Sequence, residues 1–149
     1  MMRSLRIIVS GNIIVLEAKD SLDSDALLRQ LDVAGCGAIV SFLGITRPQE
    51  GEHEVYRLEF DAWEDKLSGV LYELANQAIE EFGVLAVGLA HRIGSVDANE
   101  PIVAIHVGSA HRKEAFLACE WLIDTLKVQA PLWKKEVTSA GSVWKEGLG

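Results

Sequence analysis

The residue types best suited to chemistry are concentrated in the last third of this 149-residue chain. His111 and Arg112 lie where a strand gives way to a helix, and Lys127 and Lys134 flank the segment Ala130-Pro131-Leu132-Trp133. The first 110 residues carry 8 basic and 17 acidic side chains, a net charge of −9, whereas the rest of the chain carries 6 and 5, a net charge of +1. This retention of cations in an acidic chain favours an anionic small molecule or an acidic peptide terminus as ligand.

His111 and Arg112 open the predicted helix in this region. A helix N-terminus offers free backbone N–H groups and a partial positive charge, so added cations there make a phosphate site. The alternative is a surface arginine beside a histidine whose hydrogen bonds are satisfied at the helix cap. Position alone leaves both interpretations open.

Lys127 and Lys134 lie on either side of a rigid, aromatic-lined turn. A lysine that is partly desolvated by such a turn has a lowered pKa and becomes a plausible nucleophile or acid/base group. The alternative is a helix C-terminus that favours lysine through its dipole, with Trp133 simply packing.

Two other cationic positions follow predicted strands. Arg47 comes after Gly44-Ile45-Thr46, and loops that leave strand ends often carry binding groups, although a solvated loop arginine is the default. His91-Arg92 ends another strand before Gly94, and this pair could be structural or could support residues that contact a ligand; we favour the structural interpretation. No role is assigned to His53 or His106.

The composition is that of an ordinary globular protein, with 49% apolar and 24% charged residues, and it predicts one domain over residues 1–149. No apolar run approaches the roughly 18 residues that span a bilayer, and the N-terminus lacks a signal-peptide core, so we expect the cytoplasm. Cys36 and Cys119 form no C-x-x-C pair or zinc-type cluster, which predicts two buried reduced thiols, no metal site and no cofactor. A net charge of −8 argues against general nucleic-acid binding.

Hydrophobic periodicity predicts an α+β domain. Strands are predicted at Leu5–Val9, Asn12–Leu16, Gly37–Phe42, Val55–Phe60, Val84–His91 and Pro101–Val107, with a terminal hairpin of Lys135–Val137 and Ser142–Trp144. Helices are predicted at Ser21–Leu31, at Ala62–Phe82 with Gly83 as its stop, and from His111 to shortly before Pro131. Thr46–Glu54 reads as an exposed loop.

The length of the last predicted helix restricts the site. Sixteen positions separate His111 from Lys127, so in one helix their Cα atoms lie about 24 Å apart. Both residues of one chain cannot touch the same small ligand. Either there are two sites, or a second subunit brings its His111 and Arg112 beside the lysines of the first.

Four segments, in this order and spacing, resemble the large, catalytic subunit of molybdopterin synthase. They are Gly37-Ala38-Ile39-Val40-Ser41-Phe42-Leu43-Gly44-Ile45-Thr46-Arg47, His91-Arg92-Ile93-Gly94, Gly108-Ser109-Ala110-His111-Arg112 and Lys127-Val128-Gln129-Ala130-Pro131-Leu132-Trp133-Lys134-Lys135-Glu136. The resemblance runs from about Gly37 to Lys145, while residues 1–36 match only in general pattern.

The resemblance implies an α/β hammerhead fold with a small added β-subdomain. It implies sulfur transfer to cyclic pyranopterin monophosphate from the C-terminal Gly-Gly thiocarboxylate of a small ubiquitin-like subunit, which forms the dithiolene of molybdopterin. It also implies a central homodimer of large subunits with a small subunit at each end, a heterotetramer in which the two large subunits share each pocket.

The same resemblance assigns roles by motif position. Lys127 matches the lysine nearest the thiocarboxylate, and Lys134 matches a second essential lysine that acts in acid/base chemistry or substrate contact. Arg47, His111 and Arg112 match residues that hold the substrate phosphate, and Phe42 matches an aromatic residue that lines the pocket.

Two other classes of function compete with this enzyme. A non-catalytic module that holds an acidic partner or a nucleotide could use the same cations without chemistry, and the chain could also be an α+β domain with unrelated surface cations. A binding module needs only net positive charge, so the presence of both lysines together with the His-Arg pair favours the enzyme. The acidic segment Pro48–Glu54 departs from what is expected at the rim of a site for an anion.

Overall fold

A computed structural model describes residues 4–63 and 66–145, and these ranges form ten strands and three helices. The strands are β1 (Ser4–Ser10), β2 (Ile13–Ala18), β3 (Ala38–Ile45), β4 (Gln49–Glu50), β5 (His53–Ala62), β6 (Ala86–Arg92), β7 (Gly94–Asp97), β8 (Pro101–Ser109), β9 (Leu132–Thr138) and β10 (Gly141–Lys145). The helices are α1 (Ser24–Gln30), α2 (Leu67–Phe82) and α3 (Arg112–Gln129). The predicted α+β class is confirmed.

The larger layer is a mixed sheet in the order β1-β2-β6-β8-β3. Only the β2–β6 pair is parallel, and the remaining neighbours are antiparallel. The apolar stripes of α2 and α3 pack on one face of this sheet, where the main core lies. Helix α1 covers part of the opposite face through Leu27, so both faces of the central strands are buried, as expected for near-continuous apolar strands.

The smaller layer is a second sheet in the order β10-β9-β5-β4, with β7 paired to β5. It contains the predicted terminal hairpin, in which Gly141 of β10 pairs with Thr138 of β9. This layer corresponds to the added β-subdomain that the resemblance implied. Strand β9 follows α3 directly, so the second sheet stands beside the C-terminal end of that helix.

Two predicted helix ends are confirmed by their local chemistry. Gly83 caps α2 in the left-handed region at φ 69°, where glycine carries no steric penalty, and its N–H donates to the carbonyl of Ile79. Helix α3 ends at Gln129, with Ala130 as its cap and Pro131 unable to continue it.

Two other boundaries were wrong. Helix α2 begins at Leu67 rather than Ala62, because Ala62 still belongs to β5, where it pairs with Leu132 of β9. The segment Thr46–Glu54 is not simply an exposed loop, since β4 pairs with the start of β5 and Thr46 is buried.

Two further features were missed or misjudged. Strand β7 was not predicted, because four residues with no apolar alternation carry too weak a signal. Cys119 is buried as expected, but Cys36 is only half-buried; both are free thiols, and burial raises the pKa of each.

The junction between the two sheets is fixed by the buried guanidinium of Arg92, at the end of β6. Its Nε donates to the carbonyl of Lys19 at 3.2 Å, and one terminal nitrogen donates to the carbonyl of Ser95 in β7 at 2.7 Å. The other terminal nitrogen lies 3.2 Å from a carboxylate oxygen of Glu100. The three nitrogens of this planar group therefore link β6 to the segment after β2, to β7 and to Glu100.

Within the described residues, no helix combines the length and the apolar character needed to cross a membrane. The single domain over residues 1–149 stays a prediction, and residues 1–3, 64–65 and 146–149 lie outside the described part of the chain.

Replacing the buried guanidinium tests how much it stabilises this junction. We expect Arg92→Leu to lower the free energy of unfolding by about 2–4 kcal/mol, because two carbonyls lose their donors. Urea denaturation would measure the change. In the control, Glu100→Gln should cost less than Arg92→Leu, since the Glu100 side chain is 45% exposed and glutamine keeps an oxygen that accepts a hydrogen bond from Arg92. An Arg92→Leu protein as stable as wild type would contradict this account.

Candidate active site

A pocket of about 410 Å³ lies between the larger sheet, the second sheet and the C-terminal end of α3. Its floor is largely apolar but includes the buried His91, and its rim is charged. Among the residues that line it are four of the predicted site residues, namely Phe42, Arg47, Lys127 and Lys134. Tertiary structure thus brings together side chains that are up to 92 positions apart in the chain.

The two lysines enter the pocket from different elements. Lys127 stands in the last turn of α3, where a cation is favoured by the helix dipole, and it is exposed. Lys134 stands on β9 and is half-buried. Desolvation lowers the pKa of Lys134, the nearby Lys145 and Lys127 lower it further, and the carboxylates of Glu136 and Glu50 oppose the shift.

The floor of the pocket is set by sheet register. Gly44 of β3 and His91 of β6 pair with Val103 of β8 from opposite sides, so these three residues form one row across the sheet. A Cβ at Gly44 would lie 2.7 Å from Cγ1 of Val103 and 3.2 Å from the ring of Phe42. Because glycine has no Cβ, the Phe42 ring can lie close to position 44 without a steric clash.

Arg47 stands at the rim and is engaged by the acidic segment. Its guanidinium lies 3.0 Å from a carboxylate oxygen of Glu50, with side chains that are 77% and 44% exposed. An ion pair this exposed is weak because water and salt screen it. An anionic ligand at the rim can replace Glu50 as the partner of Arg47.

Three buried polar residues of the pocket, Thr46, His91 and Glu136, were not selected as site residues from the sequence. His91 is 2% exposed, and burial lowers its pKa to about 4. The position of His91 at the end of a strand, next to Arg92 and Gly94, was a signal that could have indicated a pocket. Glu136 lies two residues after Lys134, on the same face of β9.

His106 also has partners that the sequence did not reveal. Its Nδ1 lies 2.6 Å from Oγ of Ser41, and its Nε2 lies 2.9 Å from the carbonyl of Ser24. These contacts tie α1 to the sheet outside the pocket.

His111 and Arg112 lie in a different cleft, of about 470 Å³, at the opposite end of α3. His111 is the N-cap of the helix and makes no side-chain capping bond, and both residues are exposed. Gly37 forms the opposite wall, where a Cβ would overlap the carbonyl of Ala110. The continuous helix between this cleft and Lys127 confirms that His111 and Lys127 of one chain are too far apart to share a small ligand.

The described residues contain no group of three or more histidine, cysteine or acidic side chains arranged to hold a metal ion. The described residues that line the pocket offer amines, a guanidinium, carboxylates and one neutral imidazole.

Comparison with known proteins gives consistent results. The chain matches the model of the MoaE protein family over residues 17–129. The molybdopterin synthase catalytic subunit of Pyrococcus abyssi is 35% identical over 111 residues, which are 74% of this chain and 75% of the relative. The corresponding subunit of Pseudomonas aeruginosa is 38% identical over 113 residues, 76% of this chain and 75% of the relative.

Solved structures agree with these relatives. The crystal structure of molybdopterin synthase from Staphylococcus aureus superposes with a TM-score of 0.81 at 27% identity, covering 87% of this chain and 95% of that one. A complex of subunits 1 and 2 of the molybdopterin-converting factor from Helicobacter pylori shares the fold, with a TM-score of 0.72 at 24% identity and coverage of 89% and 90%. The match over most of the chain, at this level of identity, confirms the resemblance drawn from the four motifs: the chain belongs to the MoaE family, the catalytic subunits of molybdopterin synthase.

Proposed function

We propose that this chain transfers sulfur from the C-terminal thiocarboxylate of a small ubiquitin-like subunit to cyclic pyranopterin monophosphate, forming the dithiolene of molybdopterin. The observation that carries this proposal is that Lys127 and Lys134 line the same pocket, whose floor is largely apolar. The complex of two converting-factor subunits from Helicobacter pylori supports a small-subunit partner. We place the reaction in the cytoplasm, as the sequence predicts.

The two lysines take different parts in the proposed chemistry because their surroundings differ. Lys127 is exposed before the partner binds, and a peptide tail that enters the pocket removes water from it. Its charge then promotes attack of the thiocarboxylate sulfur on the substrate carbon, which forms a C–S bond as a C–O bond of the substrate breaks. Water then cleaves the thioester, which leaves sulfur on the substrate and frees the carboxylate of the tail, and Lys134, whose pKa is already lowered by desolvation, accepts the proton of that water.

The remaining site residues hold the substrate. Phe42 offers an apolar surface to the pterin rings. The guanidinium of Arg47 leaves its ion pair with Glu50 and binds the phosphate instead. His111 and Arg112 lie at a helix N-terminus, which suits a phosphate, but their cleft is at the other end of α3. A homodimer in which the partner subunit supplies this cleft resolves the separation.

The position of β3 supports such a dimer. β3 is an edge strand that runs from the cleft at Ala38 to the pocket at Ile45, a span of about 24 Å that matches the helix. Its outward side chains include the exposed Ile39 and Leu43. Unpaired edges are prone to pair with another strand, and antiparallel pairing of two β3 strands about a two-fold axis would set the cleft of each subunit against the pocket of the other.

The role of Lys127 can be tested by single-turnover conversion of cyclic pyranopterin monophosphate with a thiocarboxylated small subunit. We expect Lys127→Ala to lower the rate at least about 100-fold, and Lys127→Arg to recover part of this loss because its charge remains. Lys135→Ala is the matched control, since Lys135 faces Glu59 and Trp144 rather than the pocket. A folded Lys127→Ala protein that binds the partner and keeps full turnover would contradict the assignment. No product from wild type with the partner bound would favour a binding module.

The pH profile reports on Lys134. Because desolvation lowers its pKa, the neutral base forms at lower pH than for an ordinary lysine, and kcat/KM should rise with pH through an inflection below 10.5. Glu136→Gln removes a charge that raises this pKa, so the inflection should move to still lower pH. Profiles of wild type and variant in the same buffers measure both effects. An unchanged or higher inflection in Glu136→Gln would exclude Lys134 as the titrating base.

Mixing two inactive variants tests the shared site. Arg112→Ala and Lys127→Ala should each be nearly inactive as homodimers, whereas a heterodimer of the two holds one site with both native residues. Random assortment should restore about a quarter of wild-type activity, because half of the dimers are mixed and half of their sites are native. Mass spectrometry of the mixture would establish that subunits exchange. Exchange without recovered activity would contradict a site built from two copies.

A further inference from the structure

His91 lies in the pocket but has no role in the proposed function described above. It is on β6, in the row that also contains Val103 and Gly44, and its side chain is almost completely buried. Buried histidines need a reason, because a polar ring is costly to enclose unless its nitrogens are satisfied. One of its two nitrogens has a clear partner.

The ring is held in one orientation by its neighbours. Nδ1 lies 2.7 Å from the backbone carbonyl of Arg92, and a carbonyl only accepts, so Nδ1 carries the hydrogen and donates it. The edge-to-face contact with Phe60, at 5.1 Å between ring centroids and 83° between planes, restrains the ring further. Arg92 is itself fixed by the carbonyls of Lys19 and Ser95.

This arrangement determines what Nε2 can do. Burial lowers the pKa of His91 to about 4, so the ring is neutral near neutral pH and Nε2 carries a lone pair. Most other polar groups of the pocket are charged, including Lys127, Lys134 and Glu136. The imidazole differs from both kinds of group, because it accepts a hydrogen bond where the lysines donate, and it does so without the negative charge of Glu136.

We propose that Nε2 of His91 accepts a hydrogen bond from a ring N–H or amino group of the heterocyclic substrate and so positions it beside the two lysines. This inference rests on the proposed function, since it takes the pterin as the substrate. It makes His91 a substrate-positioning residue that distinguishes ring systems bearing an N–H donor from those that lack one. Phosphate recognition is left to the cations.

Two substitutions test the roles of Nδ1 and Nε2 of His91 separately. His91→Asn retains an amide donor near the position of Nδ1 but loses the acceptor at Nε2, whereas His91→Gln places an amide near the position of Nε2. Binding of cyclic pyranopterin monophosphate would be measured by calorimetry without the small subunit. We expect Kd to rise about tenfold in His91→Asn and to stay within about threefold of wild type in His91→Gln, as for the loss and retention of one hydrogen bond.

A spectroscopic readout on the wild-type protein does not depend on variants that fold poorly. In protein labelled with ¹⁵N-histidine, His91 should show a protonated Nδ1 and an unprotonated Nε2. Saturation with cyclic pyranopterin monophosphate should shift the Nε2 resonance towards that of a hydrogen-bonded acceptor. A histidine that only packs against Phe60 would leave this resonance unchanged.

The outcomes distinguish this inference from the proposed function. Unchanged Kd in His91→Asn together with an unmoved Nε2 resonance would overturn the role of His91, even if wild type forms dithiolene. A shifted resonance in a protein that binds the pterin but makes no product with the thiocarboxylated partner would support His91 and overturn the sulfur transfer. Failure of wild type to bind the pterin would overturn both.

Discussion

The rigid length of α3 is the constraint on which the arrangement of functional groups depends. A helix rises about 1.5 Å per residue, so the cations at its N-terminus and Lys127 in its last turn are kept about 24 Å apart. The buried stripe of α3, including Leu122 and Leu126, fixes the helix on the larger sheet and prevents any rearrangement that would shorten this distance. Strand β3 beneath it has nearly the same length. The proposed dimer uses both elements to bring the two ends together across a two-fold axis.

The junction of the two sheets performs a second function, since the pocket lies where they meet. Arg92 holds β6 against β7 with a buried guanidinium, and its backbone carbonyl orients the ring of His91. Arg92 therefore stabilises the junction of the sheets and also orients His91 in the floor of the pocket. Gly44, on the other side of Val103, leaves space for Phe42, so both the polar and the apolar parts of the floor follow from the register of adjacent strands.

Charge in the pocket is balanced locally. Glu50 pairs with Arg47 at the rim. Desolvation lowers the pKa of Lys134, and the carboxylate of Glu136 raises it. Glu50, from the acidic segment that departs from the expected rim of an anion site, is thus part of this balance, whereas Glu52 and Glu54 of the same segment are exposed. An exposed pair such as Arg47–Glu50 is readily exchanged for a phosphate, whereas the buried surroundings of Lys134 persist.

The sequence by itself determined the α+β class, the C-terminal ends of α2 and α3, the terminal hairpin and the distance between His111 and Lys127. These follow from local rules: hydrophobic period, a glycine cap, a proline stop and the rise of a helix. Its four motifs also indicated the family. Only the tertiary structure decided that Ala62 belongs to β5, that β7 pairs with β5, and that His91 lies in the pocket. These features depend on pairing between strands far apart in the chain. The strand-end position of His91 could indicate a pocket, but no local pattern shows which elements enclose it or that the ring is buried.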